Sequence, residues 1–234
     1  MVPIQNLAVG ENGTLKLLAS TYQEAFGVCP TERFAQEHTG MMCSGFLVAP
    51  DLLVTAGHCI REQAACDQAI WVFEYQKDGS PITLDQVVRC KEIVEQVLDP
   101  VTLKLDYAVI RLDRKVLNRK PLAFRKEGKI NEHEDVLVIG HPMGLPQKIA
   151  DGANLRENVE PTYFTANLDT YGGNSGSPVF NANTGVVEGI LVEGEMDLTV
   201  DETNLCYKSN VCPADGCLGE KVTRITSVAV LKNL

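Results

Sequence analysis

The stretch DTYGGNSGSPVF, residues 169–180, sets Ser175 between glycines and carries a carboxylate, Asp169, six positions upstream. A serine hydroxyl attacks a carbonyl only when a positioned base takes its proton, and the oxyanion that forms needs N–H donors at close range. Glycines beside a serine permit that approach, because a backbone without Cβ reaches conformations closed to other residues. Four histidines could serve as the base: His38, His58, His133 and His141. Only His58 ends an apolar run, LVTAGHC, where a strand would deliver its side chain to the rim of a sheet. Asp106 opens a second apolar run, DYAVIRL, where a carboxylate entering the interior requires a specific partner. Ser175, His58 and Asp106 are thus the candidates for a nucleophile, a general base and a group to orient the base.

The elements that must bring these three together are short strands. Phe46–Val48, Leu52–Thr55, Ile70–Phe73, Tyr107–Ile110, Val136–Ile139 and Val186–Val192 are rich in β-branched residues and separated by Gly, Pro, Asp and Asn. That pattern predicts an all-β sandwich or barrel. Helical periodicity is scarce, the exception being the C-terminus, where Thr226 or Ser227 is placed to cap Val228–Leu234. A charged and polar stretch from Asp113 to Glu134, broken by PLAF at 121–124, divides two strand-rich halves. We expect an N-terminal segment over residues 1–28, a β module over 29–120 carrying His58 and Asp106, and a second over 121–234 carrying Ser175.

A net charge of −10 argues against nucleic-acid binding through phosphate neutralisation. No apolar run is long enough to cross a bilayer, and the first twenty residues lack a charged start followed by a continuous apolar leader. The eight cysteines suggest disulfides formed in an oxidising compartment, so a secreted or periplasmic location is expected. CPADGC at 212–217 has a possible ligand spacing but no second pair to complete a tetrahedral site. The acidic stretch Glu193–Glu202 lacks the alternating pattern of a calcium loop. No metal and no cofactor are expected.

Three blocks, CSGFLV with TAGHC, then DYAVIRL, then GNSGSP, run in the order His, Asp, Ser over Cys43 to Pro178. In these the chain resembles the trypsin/chymotrypsin-like serine proteases. The resemblance implies two packed six-stranded antiparallel β-barrels with the site in the cleft between them, followed here by the short C-terminal helix. It implies an endopeptidase working through an acyl-enzyme, with Ser175 as nucleophile, His58 as base and then acid, and Asp106 holding the imidazole. The oxyanion donors would be the amides of Gly173 and Ser175, and one disulfide would join Cys43 to Cys59. The pairing of the other six cysteines stays open; a bond within the Cys206, Cys212, Cys217 loop and one between Cys66 and Cys90 are the guesses we favour. A monomer acting on protein or peptide substrates, with no nucleic-acid or membrane partner, is expected.

The chain also departs from the family pattern. Animal members carry an aspartate just before the nucleophile, paired with a newly cut N-terminus; Asn174 has no charge for such a pair. GGNSGSPVF is similar to the bacterial glutamyl endopeptidases and IGHPMGLP at 139–146 to bacterial trypsin-like members; with no second module fitting after Leu234, a stand-alone protease is expected. Trypsin-like members place an aspartate at the base of the primary pocket six residues before the nucleophile, which here is Asp169, with Thr170 beside it. Buried there, it would select Arg or Lys. Glutamyl endopeptidases use a histidine on the next pocket strand, where this chain has Leu191, and Val192 and Gly194 would offer backbone to an extended substrate. Cleavage after Arg or Lys is therefore expected. The alternatives are a glutamyl or other preference, and a protease-like binding module without activity.

Overall fold

Leu52–Thr55 and Asp106–Leu112 are apolar at consecutive positions because both of their faces are buried. In the computed structural model, which describes every residue except 100, 102, 103, 214 and 215, they are inner strands of a six-stranded antiparallel sheet. Its strands in chain order are Val2–Pro3 (β1), Phe46–Ala49 (β2), Leu52–Thr55 (β3), Ala69–Val72 (β4), Val87–Leu98 (β5) and Asp106–Leu112 (β6). They lie side by side as β1-β4-β5-β6-β3-β2, a half-barrel. The second sheet comprises Asp135–Gly140 (β7), Lys148–Glu157 (β8), Tyr163–Ala166 (β9), Pro178–Asn181 (β10), Val187–Glu193 (β11) and Glu220–Arg224 (β12). It closes on itself in the order β7-β8-β9-β12-β11-β10.

Side chains alternate between the faces of a strand, and this sorts them into separate cores, three of which position the site. Leu53, Ala108 and Ile110 point into the first sheet beside Leu47, Trp71 and Val88. Leu52, Val54, Tyr107 and Val109 face the other way and pack on Phe180, Ile190, Val192 and Ile225 of the second barrel. Leu191, between Ile190 and Val192, turns inward to Val138, Phe164 and Val222. Each fully buried Leu, Ile or Val contributes roughly 1.5–3 kcal/mol, so the shared core is a strong constraint on how the two sheets meet. The charged stretch at 113–134 connects β6 to β7 and touches the second barrel where Phe124 bridges to Val187.

The C-terminal helical segment takes the form of 3-10 turns, Ile225–Ser227 and Ala229–Asn233, with no side-chain cap from Thr226 or Ser227. Val228 and Val230 are stiff in an α-helix and so short a segment nucleates poorly. Val228 and Leu231 are instead fixed by the shared core.

Residues 1–28 are built into the fold: β1 pairs with β4, and Leu7–Val9 forms a hairpin with Leu15–Leu17. A short helix, Tyr22–Phe26 (α1), follows, started by a capping box of Thr21 and Glu24 and ended by Gly27. The chain then runs along the hairpin of Leu198–Asp201 and Cys206–Ser209, where the Cys29 N–H reaches the Tyr207 carbonyl at 2.7 Å. A Cys29–Cys206 disulfide secures this contact; nothing in the spacing foretold it. Cys43–Cys59, Cys66–Cys90 and Cys212–Cys217 are joined as expected.

Candidate active site

β3 and β6 are antiparallel neighbours with Thr55 opposite Ala108, so the end of one strand lies beside the start of the other. That pairing delivers His58, three residues past β3, to Asp106, the first residue of β6. Asp106 is 1% exposed and its two oxygens are both engaged by residue 58. Oδ1 accepts the His58 backbone N–H at 3.0 Å, and Oδ2 lies 2.6 Å from Nδ1 of the ring. A buried carboxylate requires donors, so Nδ1 presents its N–H to Asp106. The ring is half-buried. The Cys43 and Cys59 sulfurs beside it are bonded to each other and act as a crosslink, not as thiolate ligands.

Ser175 sits on the loop between β9 and β10 and is pinned against the hairpin that carries His58. Its carbonyl accepts the Ser44 N–H at 2.8 Å, and Cys59 Sγ lies 3.9 Å from the same oxygen. Between Gly172 and Ser177, four of the six amides are engaged. Gly172 N–H donates to Asp197 Oδ2 at 2.8 Å, Asn174 to the Tyr171 carbonyl at 3.1 Å, Gly176 to Leu191 at 2.7 Å and Ser177 to Asn174 at 2.8 Å. Among the described residues, the N–H groups of Gly173 and Ser175 have no such partner. Their directions follow from the planar trans peptide, in which N–H opposes the preceding C=O. The Gly172 carbonyl is held by Met143 N–H at 2.5 Å, and the Asn174 carbonyl by Ser177, so both free amides are turned away from those contacts. Gly173 has a φ of +89°, and a Cβ there would stand 2.5 Å from the His141 carbonyl oxygen. Only glycine fits this corner.

Three supporting residues went unseen in the sequence. Ser44, 3% exposed, donates its hydroxyl to the Gly173 carbonyl at 2.9 Å and accepts the His141 N–H at 3.0 Å. It therefore clasps the serine loop to the end of β7. His141 in turn places Nδ1 2.9 Å from the Leu145 carbonyl; burial pushes its pKa down to about 4, so the ring is a neutral donor. Met143, with φ +52°, is held by the Thr39 hydroxyl on its carbonyl. No spacing rule marks a lone serine after a cysteine as such a clasp.

Beside this loop opens a cavity of about 850 Å³ whose lining includes Asp169, Thr170, Asn174, Asp197 and Glu220. Asp169 does not occupy the buried position expected of it: it is exposed, because its strand ends before it and its side chain turns to solvent. The deep carboxylate is Glu220, the first residue of β12, which is 5% exposed. Burial raises its pKa to about 7, and Asp197 and Glu195 add to the rise against hydrogen bonding from Thr170 and the Glu195 backbone. Burial also raises Asp197, partly offset by the Gly172 N–H. Val192 falls at a bulge in the β11–β12 register, with Leu191 opposite Val222 and Glu193 opposite Lys221, so it faces no residue of β12. Leu191 is buried in the second barrel's core. The N-terminal arm forms part of the cavity wall, with Glu32 accepting both the N–H and the hydroxyl of Ser209, at 3.1 and 2.6 Å.

This architecture is similar to that of solved proteases over most of its length. Kallikrein-related peptidase 10 superposes with a TM-score of 0.54 at 18% identity, covering 82% of this chain and 88% of that one. A Glu endopeptidase solved in complex with MPD gives 0.53 at 18%, over 82% and 86%. The scabies mite inactivated protease paralogue S-I1 gives 0.57 at 15%, also over 82% and 86%. At such identities the likeness shows the fold. No curated protein matches the sequence significantly. The trypsin-like peptidase domain model matches residues 43–190, from the cysteine that opens the His58 hairpin to Ile190 in β11. The chain belongs to the trypsin-like peptidase family.

Proposed function

We propose that this protein is a serine endopeptidase that cleaves peptide bonds through an acyl-enzyme on Ser175, after Arg or Lys. The observation that carries the reading is the two-point hold of Asp106 on His58, set beside a serine flanked by two unpartnered amides. Ser175 Oγ attacks the scissile carbonyl while its proton passes to His58 Nε2. Asp106 keeps the ring in the accepting tautomer and stabilises the imidazolium that results. The new oxyanion lies between the N–H groups of Gly173 and Ser175, each such donor contributing roughly 3 kcal/mol. As the C–N bond breaks, His58 returns its proton to the leaving amine. Water then attacks the ester with His58 again as base, and the freed acid leaves Ser175 as it began.

The preference for a cation rests on the carboxylates Asp169, Asp197 and Glu220 in one cavity. Of the four cations lining the cavity, Arg33, Lys148, Arg156 and Lys208, Lys148 is paired with Glu37 at 2.6 Å and Arg156 holds the Cys217 carbonyl at 2.5 Å. The bulge at Val192 and the exposed end of β11 support binding of the substrate as an added strand. Four disulfides support a secreted or periplasmic location.

A fluorophosphonate probe tests the nucleophile. The folded protein is expected to label at Ser175, while Ser175→Ala does not label and His58→Ala labels far more slowly. A folded, unlabelled wild type overturns the peptidase reading in favour of a protease-like binding module. Peptides varied only at P1 test the preference, which fails if Glu or Phe outruns Arg.

A further inference from the structure

A peptidase pocket that selects a cation needs a carboxylate that is shielded from water and unsatisfied until the substrate arrives. Asp169 meets neither condition, since it is exposed and water screens its charge. Glu220 meets both. It is 95% buried by its 5% exposure, and its Oε2 is fully buried without any hydrogen-bond partner. An orphaned buried carboxylate oxygen is costly, and one that is retained calls for a partner the chain itself does not supply.

The location is equally specific. Glu220 stands opposite Ala166 on β9, and its carboxylate reaches across to the chain just beyond β11. There Oε2 lies 2.0 Å from where a Cβ on Gly194 would stand, so the acid lies over the bare backbone of that residue. Gly194 follows the bulged end of β11, the edge to which the substrate's main chain would add. A side chain leaving that main chain toward the cavity meets Glu220 first. The surrounding wall is acidic: Glu195 and Asp197 face Glu220 from the segment after β11, and Thr170 faces it from the segment after β9. Two of the nearby cations are engaged elsewhere. Lys221 is paired with Glu193 at 2.6 Å, and Arg156, beside Gly219, is bound to the Cys217 carbonyl.

We propose that Glu220, and not Asp169, is the carboxylate that selects the P1 side chain, and that the group it takes is an ammonium or guanidinium cation completed by Oε2. This rests on the peptidase reading above and names the specificity residue within it. A cation bound there converts an isolated buried charge into a pair, so binding draws Glu220 into its ionised form and expels the proton it holds near neutrality.

Two measurements test it. In the first, kcat/KM is compared for peptides with Arg and with Gln at P1. The Arg-to-Gln ratio is expected to fall about 100-fold in Glu220→Gln and no more than a few-fold in Asp169→Asn, as removal of one partner of a buried charged pair requires. The reverse pattern overturns the proposal and leaves the peptidase reading intact. In the second, benzamidine, a cation across the range used, is titrated calorimetrically into wild-type protein at pH 7 in two buffers of different ionisation heat. Binding is expected to release roughly half a proton, a release absent from Glu220→Gln. Absence of binding, or binding without proton release in the wild type, overturns the proposal even where the variant fails to fold. A wild type that hydrolyses no peptide yet binds benzamidine with proton release sinks the peptidase reading alone.

Discussion

Asp106 holds residue 58 at two points, by its backbone N–H at 3.0 Å and by its ring Nδ1 at 2.6 Å. The main-chain contact anchors the carboxylate in the frame of the β3–β6 pairing, and the side-chain contact passes that orientation to the imidazole. The ring is therefore aimed before any substrate arrives. Preorganisation of this kind is where most of the catalytic advantage of such sites arises.

Replacing Asp106 by Asn tests that hold. The amide presents an N–H where the ring also has one, so the imidazole adopts the tautomer with its proton on Nε2 and can no longer accept from Ser175. A kcat loss of about 10⁴ with little change in KM is expected. Steady-state kinetics on an ester substrate, beside an unchanged thermal transition, would check it.

Ser44→Ala removes the clasp between the serine loop and β7. Two hydrogen bonds of about 0.5–1.5 kcal/mol each disappear, and the Gly173 carbonyl is freed to rotate. We expect kcat to fall about tenfold, KM to stay within about twofold, and the melting temperature to drop by a few degrees. A KM-dominated loss would mean that Ser44 supports the substrate pocket and not the free amides.

Gly173→Ala places a methyl 2.5 Å from the His141 carbonyl at a φ of +89°. The loop must move and one amide leaves its position, so kcat should fall by about 10²–10³. Slower labelling by a fluorophosphonate in a protein of wild-type circular dichroism would report it.

Glu220 makes stability depend on pH in a direction unusual for a carboxylate. Its pKa in the folded protein, about 7, lies above the ordinary 4.5, so the folded state binds the proton more tightly than the unfolded chain does. Ionisation costs nothing below pH 4.5, costs progressively more as pH rises to 7, and then levels off. The difference, 7 − 4.5, corresponds to roughly 3 kcal/mol. Glu220→Gln, which keeps the shape and loses the charge, should melt higher than wild type at pH 8 and no higher at pH 4.5. Melting curves across that range that stay parallel would contradict the burial of an ionisable group here.

Cys29→Ser with Cys206→Ser opens a covalent loop with a sequence separation of 177. A loss of about 2–5 kcal/mol in a denaturant titration is expected. Because the arm walls the cavity, KM for Arg substrates should rise as well.

The residues we propose as nucleophile, base and orienting acid stand out because each lies in a motif whose neighbours declare a strand end or a tight loop. His58 closes an apolar strand, Asp106 opens one, and glycines surround Ser175. The amides of Gly173 and Ser175 were named through the family resemblance, and the positive φ of Gly173 is in keeping with it. Asp169 shows the limit of counting: its position was identified, but whether a side chain turns inward depends on where β9 ends and how β12 is paired. Glu220 follows a glycine and precedes a lysine, and so reads as surface charge until its register opposite Ala166 is known. Ser44 and Cys29–Cys206 depend on contacts between residues 97 and 177 positions apart, which no local pattern encodes.

Cys29 precedes the connection at 113–134 and Cys206 follows it, whereas each of the other three crosslinks lies wholly on one side. That connection displays Arg114 and Lys115 at the surface, where an enzyme that cuts after basic residues would meet them. A single nick there leaves the two pieces tied together and migrating as one species on a non-reducing gel, parting only when thiol is added. The molecule is thereby insured against a first cut in that connection.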